Sequence, residues 1–343
     1  MKAVAYRQIL PITDAQSLID VELPEPVAEG RDLLVKVEAI SVNPVDTKVR
    51  QRANPEGSDK VLGWDAAGTV VAVGADVTLF KPGDAVYYAG AIDRSGSNAQ
   101  FQLVDERIVG RKPSTLDFAQ AAAMPLTTIT AWEMLFDRLG VPRGSTPRTG
   151  VILIVGGAGG VGSMATQLIR RLTNFTVVAT ASRGDTQAWV KELGAHHAVD
   201  HRGDLVAAVK AVAPQGVDYV LSLTHTEQHF ASLVELLKPQ GKLALIDDPA
   251  TPLDIRLLKQ KSLSLHWEFM YTRSLFHTED MQAQHRLLNE VADLVDAGVL
   301  RTTLRENVGS IDAANLRRAH AQVESASTIG KIVLSGWRED RSE

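Results

Sequence analysis

The 343-residue chain contains no cysteine. That excludes disulfides, thiolate nucleophiles and every zinc site built on cysteine. No apolar run is long enough to span a bilayer, and the opening MKAVAYRQIL lacks the pattern of a secretory signal. There is no lysine/arginine run either, and a formal net charge of −5 argues against a nucleic-acid or anionic-membrane surface. Cytoplasm is the expected compartment. What is present is an ordinary globular composition, 45% hydrophobic and 22% charged, with length enough for two domains.

The rest of the chain is organised around residues 151–172, VILIVGGAGGVGSMATQLIRRL. Val151–Val155 reads as a buried strand. Beyond the glycines, Val161, Met164, Ala165, Leu168, Ile169 and Leu172 recur at the spacing of an amphipathic helix. Between them Gly157-Ala158-Gly159-Gly160-Val161-Gly162 matches G-x-G-x-x-G. Glycines there let the backbone turn tightly and approach a pyrophosphate, which sits among free N–H groups at the helix N-terminus. Strand before and helix after are the context this motif requires.

Residues 1–125 are β-rich and punctuated by proline and glycine, with strands expected at Lys2–Tyr6, Leu33–Ile40, Ala67–Val73 and Ala85–Tyr88. Asn43-Pro-Val-Asp46 reads as a turn after a strand, and Gly68 marks a close backbone approach. Phe118–Ala123 and Thr127–Leu139 read as helical, and Pro142–Gly150 as an exposed loop. Strands at Val151–Val155, Val177–Thr180, Ala198–Val199, Tyr219–Leu223 and Lys242–Ile246 then alternate with helices, the pattern of a parallel sheet covered on both faces. Ser262–Met270 alternates like a half-buried strand. Helices are expected over Thr278–Ala297, capped by Thr278, and over Asp312–Ser325, before a last strand at Gly330–Leu334. His196, His197 and His201 cluster near the third strand of the parallel sheet and are read as a solvated loop rather than a metal site.

Seven short pieces in fixed order carry a resemblance. They are Asn43-Pro-x-Asp46, Gly63-x-Asp65-x-x-Gly68, Phe80-x-x-Gly83-Asp84-x-Val86 and Ala122-Ala-x-Pro125-Leu-Thr127 with Thr130-Ala-Trp132. Gly159-Gly-Val-Gly162, Leu193-Gly-Ala195 and Gly330-Lys331 complete the set. The chain resembles the medium-chain dehydrogenase/reductase superfamily, and within it the zinc-free quinone oxidoreductase branch. The resemblance implies an α/β protein with a GroES-like β-rich catalytic domain over 1–126, completed by 272–343, and a doubly wound Rossmann domain over 127–271. The cofactor is expected in the cleft between them. Alcohol dehydrogenases of this superfamily hold a catalytic zinc at positions that correspond here to Asn43, Trp64 and a residue near Leu126, none of them expected to bind zinc. No metal is expected.

Without a Lewis acid, hydride transfer from NADPH to an activated acceptor, a quinone or an α,β-unsaturated carbonyl, is the expected chemistry. Other readings are a zinc-free alcohol or ketone reductase and a non-catalytic NADPH-binding sensor or scaffold. The resemblance places Asn43 beside the nicotinamide as a donor to the acceptor's oxygen, and Asp46 nearby as proton relay or orienter. Thr127 and Tyr87 are candidates for the cleft wall, and solvent is expected to supply the proton. Cofactor contacts are expected from the 157–162 turn, from Ser182 and Arg183, and from Thr224, Ile246, Phe269 and Lys331. The second strand of the parallel sheet ends at Ala181 where an NAD site carries a carboxylate, so a 2′-phosphate meets no repulsion there. Arg183 offers it a planar cationic fork. A homodimer is expected through the 262–270 edge strand, with a small hydrophobic substrate and neither nucleic acid nor membrane as partners.

Overall fold

A computed structural model describes residues 1–144 and 149–337. Positions 145–148 of the loop expected at 142–150 lie outside the described residues. The chain divides into two compact units, one of Met1–Leu126 with the chain from Tyr271 onward, the other of Thr127–Met270. Tyr271, expected with the central domain, falls in the first unit.

In the first unit β1 (Lys2–Tyr6) lies between β2 (Ile19–Glu22) and the two-residue β4 (Lys60–Val61). The long β3 (Asp32–Val42) is buried along nearly its whole length, because β5 (Ala66–Val73), β7 (Phe101–Asp105) and a strand from the C-terminal segment all pair with it. β6 (Ala85–Tyr88) and β8 (Val109–Arg111) continue that sheet. Asn43–Asp46 is the start of a helix, α1 (Pro44–Arg52), rather than an isolated turn. Proline is tolerated at the first helical position, where its missing N–H has no partner to lose. Asp46 in the first turn and Arg50 and Arg52 in the last complement the helix dipole. α2 (Phe118–Ala122) follows, and the chain passes into the second unit within α3 (Pro125–Trp132), which runs on as a π-helical segment to Arg138.

The second unit is a parallel sheet, six-stranded among the described residues: β9 (Gly150–Val155), β10 (Phe175–Thr180), β11 (His197–Val199), β12 (Val217–Ser222), β13 (Leu237–Leu245) and β14 (Ser264–Trp267). α4 (Gly160–Leu172), α5 (Gly184–Glu192), α6 (Leu205–Val212) and α7 (Thr226–Leu236) connect them. Met164, Ala165, Leu168 and Ile169 of α4 are fully buried, as their spacing predicts. Leu153 and Val155 join Val209, Phe230 and Leu233 in one apolar core. The strand expected over 262–270 is shorter, because a 3₁₀ segment (Ile255–Lys261) ends at Ser262 with φ 51°.

The chain then returns to the first unit through α8 (Thr272–Leu275), α9 (Ala283–Asp296), β15 (Leu304–Asn307), α10 (Ala313–Glu324) and β16 (Lys331–Ser335). The helix expected from Thr278 begins at Ala283 instead. The Thr278 hydroxyl and the Arg273 guanidinium both donate to Asp280, at 2.7 and 2.8 Å, and hold that segment as a turn.

Candidate active site

In the second unit the strand order is β11-β10-β9-β12-β13-β14, so the chain reverses direction of travel between β9 and β12. Ligands of such sheets bind at the carboxyl ends beside that reversal. β9 runs there into Gly156, whose φ of +85° lies in the left-handed region. The Gly156 N–H donates to Thr180 Oγ1 at 2.9 Å and the Gly157 N–H to the Thr180 carbonyl at 3.1 Å, tying the turn to the end of β10. A Cβ on Gly157 would stand 2.8 Å from Ala179 Cβ, and one on Gly162 only 2.5 Å from the Gly156 carbonyl oxygen. Those two glycines are dictated by packing. A Cβ on Gly159 would meet only the Gly156 carbonyl, at 3.7 Å, so there the backbone borders open space. Gly160, Val161 and Gly162 form the first turn of α4, where amides have no intrahelical partner. These residues fit a pyrophosphate.

Next to this turn, Ala181 is buried and no carboxylate replaces it. Ser182 and Arg183 follow. The Arg183 Nε is 3.2 Å from Asp185, and its side chain is 44% exposed. Arg202, which the sequence did not single out, donates Nη2 to the Ser182 carbonyl at 2.7 Å and pairs with Asp200. Thr224, after β12, reaches within 3.1 Å of a Cβ built on Gly156. Ile246 is half-buried beyond β13, and Phe269, beyond β14, is 45% exposed.

The first unit holds a buried polar cluster. β16 pairs with β3 so that Ile332 faces Val42, which brings Lys331 against Asn43. β5 pairs with β3 so that Ala66 faces Ile40, which sets Asp65 beside Ser41. Lys331 Nζ donates to Asn43 Oδ1 at 2.5 Å and to the Val42 carbonyl at 2.9 Å, and stands 3.2 Å from Asp65 Oδ2. Asp65 also accepts from Asn43 Nδ2 at 2.7 Å, Ser41 Oγ at 3.2 Å and the Leu126 N–H at 2.8 Å. Asp46 reaches back to the Asn43 N–H at 2.5 Å, while its other oxygen is buried without a hydrogen-bond partner among the described residues. Burial pushes the Asp46 carboxyl up to about 7, although the Asn43 N–H and Lys331 oppose the rise. Burial also raises Asp65 and lowers Lys331, but four donors hold the charge on Asp65. Asp46 is therefore the carboxyl of the pair that takes a proton first.

Several expectations are corrected by this geometry. Asn43 has both ends of its amide committed inside the unit, so it is a structural link rather than a free donor. Lys331, expected among the cofactor contacts, is a buried ammonium bonded inside its own unit. Tyr87 is fully buried and donates to the Leu288 carbonyl at 2.6 Å, which makes it a tie between β6 and α9. Thr127 is buried near the start of α3, in the second unit. Asp65, noted in the sequence only as part of Gly63-x-Asp65-x-x-Gly68, and Tyr271 were given no site role. Tyr271 packs edge-on against Trp64, with ring centres 6.2 Å apart, and the carboxyls of Asp46 and Asp65 add to the burial that raises its phenol. The signal for Asp65 was a lone carboxylate within the apolar run Leu62–Val73.

Residues 29–125 match the family model of the alcohol dehydrogenase GroES-like domain, and residues 193–334 that of the zinc-binding dehydrogenases. A zinc-type alcohol dehydrogenase-like protein of Staphylococcus aureus is 39% identical over 98% of this chain and 100% of its own. The chain belongs to the medium-chain dehydrogenase/reductase superfamily. A 2-methylene-furan-3-one reductase of Solanum lycopersicum is 34% identical over 74% of this chain and 72% of its own. A crystal structure from Rhizobium etli, provisionally named a zinc-dependent alcohol dehydrogenase protein, is 57% identical with a TM-score of 0.95 over 99% of both chains.

Zinc, which the superfamily implies, does not fit the residues present. Asn43 Oδ1 is held by an ammonium, the Trp64 indole donates to the Ala91 carbonyl at 3.1 Å, and Leu126 offers a backbone N–H. A cation among them would face Lys331 and compete with four donors for Asp65. Among the described residues no group of three or more histidines and carboxylates could hold a metal ion. Purified protein is expected to carry zinc well below one per chain by elemental analysis, with turnover unaffected by chelator. Stoichiometric zinc and chelator-sensitive turnover would contradict the cluster's reading.

Proposed function

We propose that this medium-chain dehydrogenase/reductase transfers hydride from NADPH to a quinone or an α,β-unsaturated carbonyl without metal assistance. The observation that carries the reading is the Lys331 ammonium bonded to Asn43 beside Asp65, where metal-dependent members of the superfamily keep zinc ligands. When bound, NADPH supplies the hydride. The chain's own part is to bind and orient: the 159–162 amides suit the pyrophosphate, and Ser182 and Arg183 the 2′-phosphate. Acceptors of this class spread incoming charge onto a distant oxygen and need less polarisation than a saturated ketone. Burial raises the Asp46 carboxyl to about 7, into the range where it can exchange a proton near neutral pH, which suits it to the relay role. The similarity to an enone reductase from Solanum lycopersicum supports the acceptor class. NADPH oxidation with a panel of quinones, enones and saturated ketones tests it. Turnover of the first two at least about tenfold above the ketones is expected, and equal turnover would sink the reading.

The preference for NADPH rests on Arg183 and on the missing carboxylate at Ala181. Each charge-assisted bond to phosphate is worth about 1.5–3 kcal/mol, so at least a tenfold preference over NADH is expected. Arg183→Ala should raise the KM for NADPH and leave that for NADH nearly unchanged. Equal use of both cofactors by the unmodified protein would refute the assignment.

We also propose a homodimer through β14, whose Trp267 is 53% exposed and followed by the exposed Phe269. β14 ends the sheet, so its second edge is open to pairing among the described residues. Light scattering at micromolar concentration should give twice the chain mass; a monomer would contradict it.

A further inference from the structure

A cavity of about 410 Å³ lies in the first unit at the last turn of α1. Ile9, Leu10, Pro11 and Ile12, from the loop after β1, form its apolar side, and Arg50 and Glu324 stand on its polar side. Ile9 is 44% exposed and Pro11 is exposed, so the apolar side opens to solvent. The volume is within the range that holds small organic molecules.

Arg50 is built into the wall and is only 1% exposed. Its Nη1 donates to the Leu10 carbonyl at 2.6 Å and its Nη2 to Glu324 Oε1 at 2.5 Å. The Nε–H is left over: it is buried without a partner among the described residues. A donor in that position is costly, because it has given up water without regaining a hydrogen bond. An acceptor oxygen brought to this edge of the guanidinium would recover the bond.

The surroundings hold the cavity in shape. Tyr6 at the end of β1 donates to the Ala53 carbonyl, just beyond α1, at 2.7 Å. Arg317 of α10 donates to the Ala15 carbonyl at 2.9 Å, which pins the far end of the same loop. Apolar side and donor therefore face a ligand already fixed, and binding spends little on ordering them. The cavity is also distinct from the Asn43 cluster. α1 rises about 1.5 Å per residue, which sets Arg50 about 10 Å along the helix from Asn43.

Charge decides the class of ligand. Glu324 already balances Arg50, so an anion would have to displace that carboxylate or lie against it. A neutral carbonyl oxygen takes the Nε–H alone and leaves the ion pair whole. The four apolar residues opposite suit a ring or a short hydrocarbon body. We propose that this cavity binds a small, neutral, mostly apolar molecule through one carbonyl oxygen, which accepts from Arg50 Nε. The inference rests on the cavity alone and stands apart from the hydride-transfer reading.

The test is fluorine NMR of the full chain with three probes that share a ring: para-fluoroacetophenone, para-fluoroethylbenzene and para-fluorobenzoate. The ketone should bind at least about fivefold tighter than the hydrocarbon, the effect of one net hydrogen bond, and tighter than the benzoate. Ile9→Asp changes only the exposed rim and should weaken the ketone about fivefold or more. A ketone held at the hydride-transfer site is unaffected by that change, so the difference reports this cavity. Arg50→Lys keeps a charge beside Glu324 but removes the Nε–H, and should bring the ketone down to the level of the hydrocarbon. If Arg50→Lys does not fold, Ile9→Asp and the three probes still decide the matter. Equal affinity for ketone and hydrocarbon, tighter binding of the benzoate, ketone affinity unchanged in Ile9→Asp, or no binding of the ketone each overturns the inference.

Discussion

Lys331→Met is expected to cost about 3–5 kcal/mol of stability, because it leaves Asp65 as a buried charge without its counter-ion. The lysine is 3% exposed and Asp65 fully buried. Removing one partner exposes the full desolvation penalty of the other, whereas removing both leaves little charge to desolvate. Lys331→Met combined with Asp65→Asn should therefore recover more than half of the loss. The denaturant midpoint reads both effects. A single variant within about 1 kcal/mol of wild type would show that the ammonium does not neutralise this cluster. The fraction that remains folded should bind NADPH normally, since Lys331 is bonded to Val42, Asn43 and Asp65 inside its own unit.

The second large effect is acid lability through His320. Its ring on α10 is wholly buried, with neither nitrogen hydrogen-bonded among the described residues. Burial, helped by the Arg50 guanidinium, pushes its pKa down to about 3 from an ordinary 6.5. The unfolded chain binds a proton at this histidine below about pH 6.5, and the folded chain does not until near pH 3. The neutral ring's contribution is thus whole above pH 6.5 and is lost as pH falls towards 3, on the order of 4–5 kcal/mol over the full traverse. Other groups titrate in the same range, so the difference from a variant is the measure. His320→Leu should flatten the fall in stability between roughly pH 6.5 and 5 by about 2 kcal/mol. Parallel curves for the two proteins would rule out this origin.

These two residues differ in how far the sequence pointed to them. Lys331 was visible as part of Gly330-Lys331, but its partners Asn43 and Asp65 lie 288 and 266 positions away and are set by strand register. His320 carried no signal, since a histidine on a helix reads alike whether its ring meets water or the core. Tyr87 failed for a related reason. Its place near the family's site residues was legible, but not the Leu288 carbonyl that takes its hydroxyl.

What the sequence determined by itself is local and periodic. The strand, glycine turn and helix at 150–172 follow from a buried apolar run, a backbone that only glycine fits at Gly157 and Gly162, and a 3.6-residue stripe. The parallel alternation that follows, and the lack of cysteine ligands, were equally open to reading. Tertiary structure decided which polar groups meet. It turned the Asn43 amide from a donor into a bridge between Lys331 and Asp65, left Asp46 with an oxygen unpartnered among the described residues, and packed the His201 ring against His229. The physical reason is that periodicity fixes which face a residue lies on. The partner it finds there depends on how strands and helices far apart in the chain are brought into register.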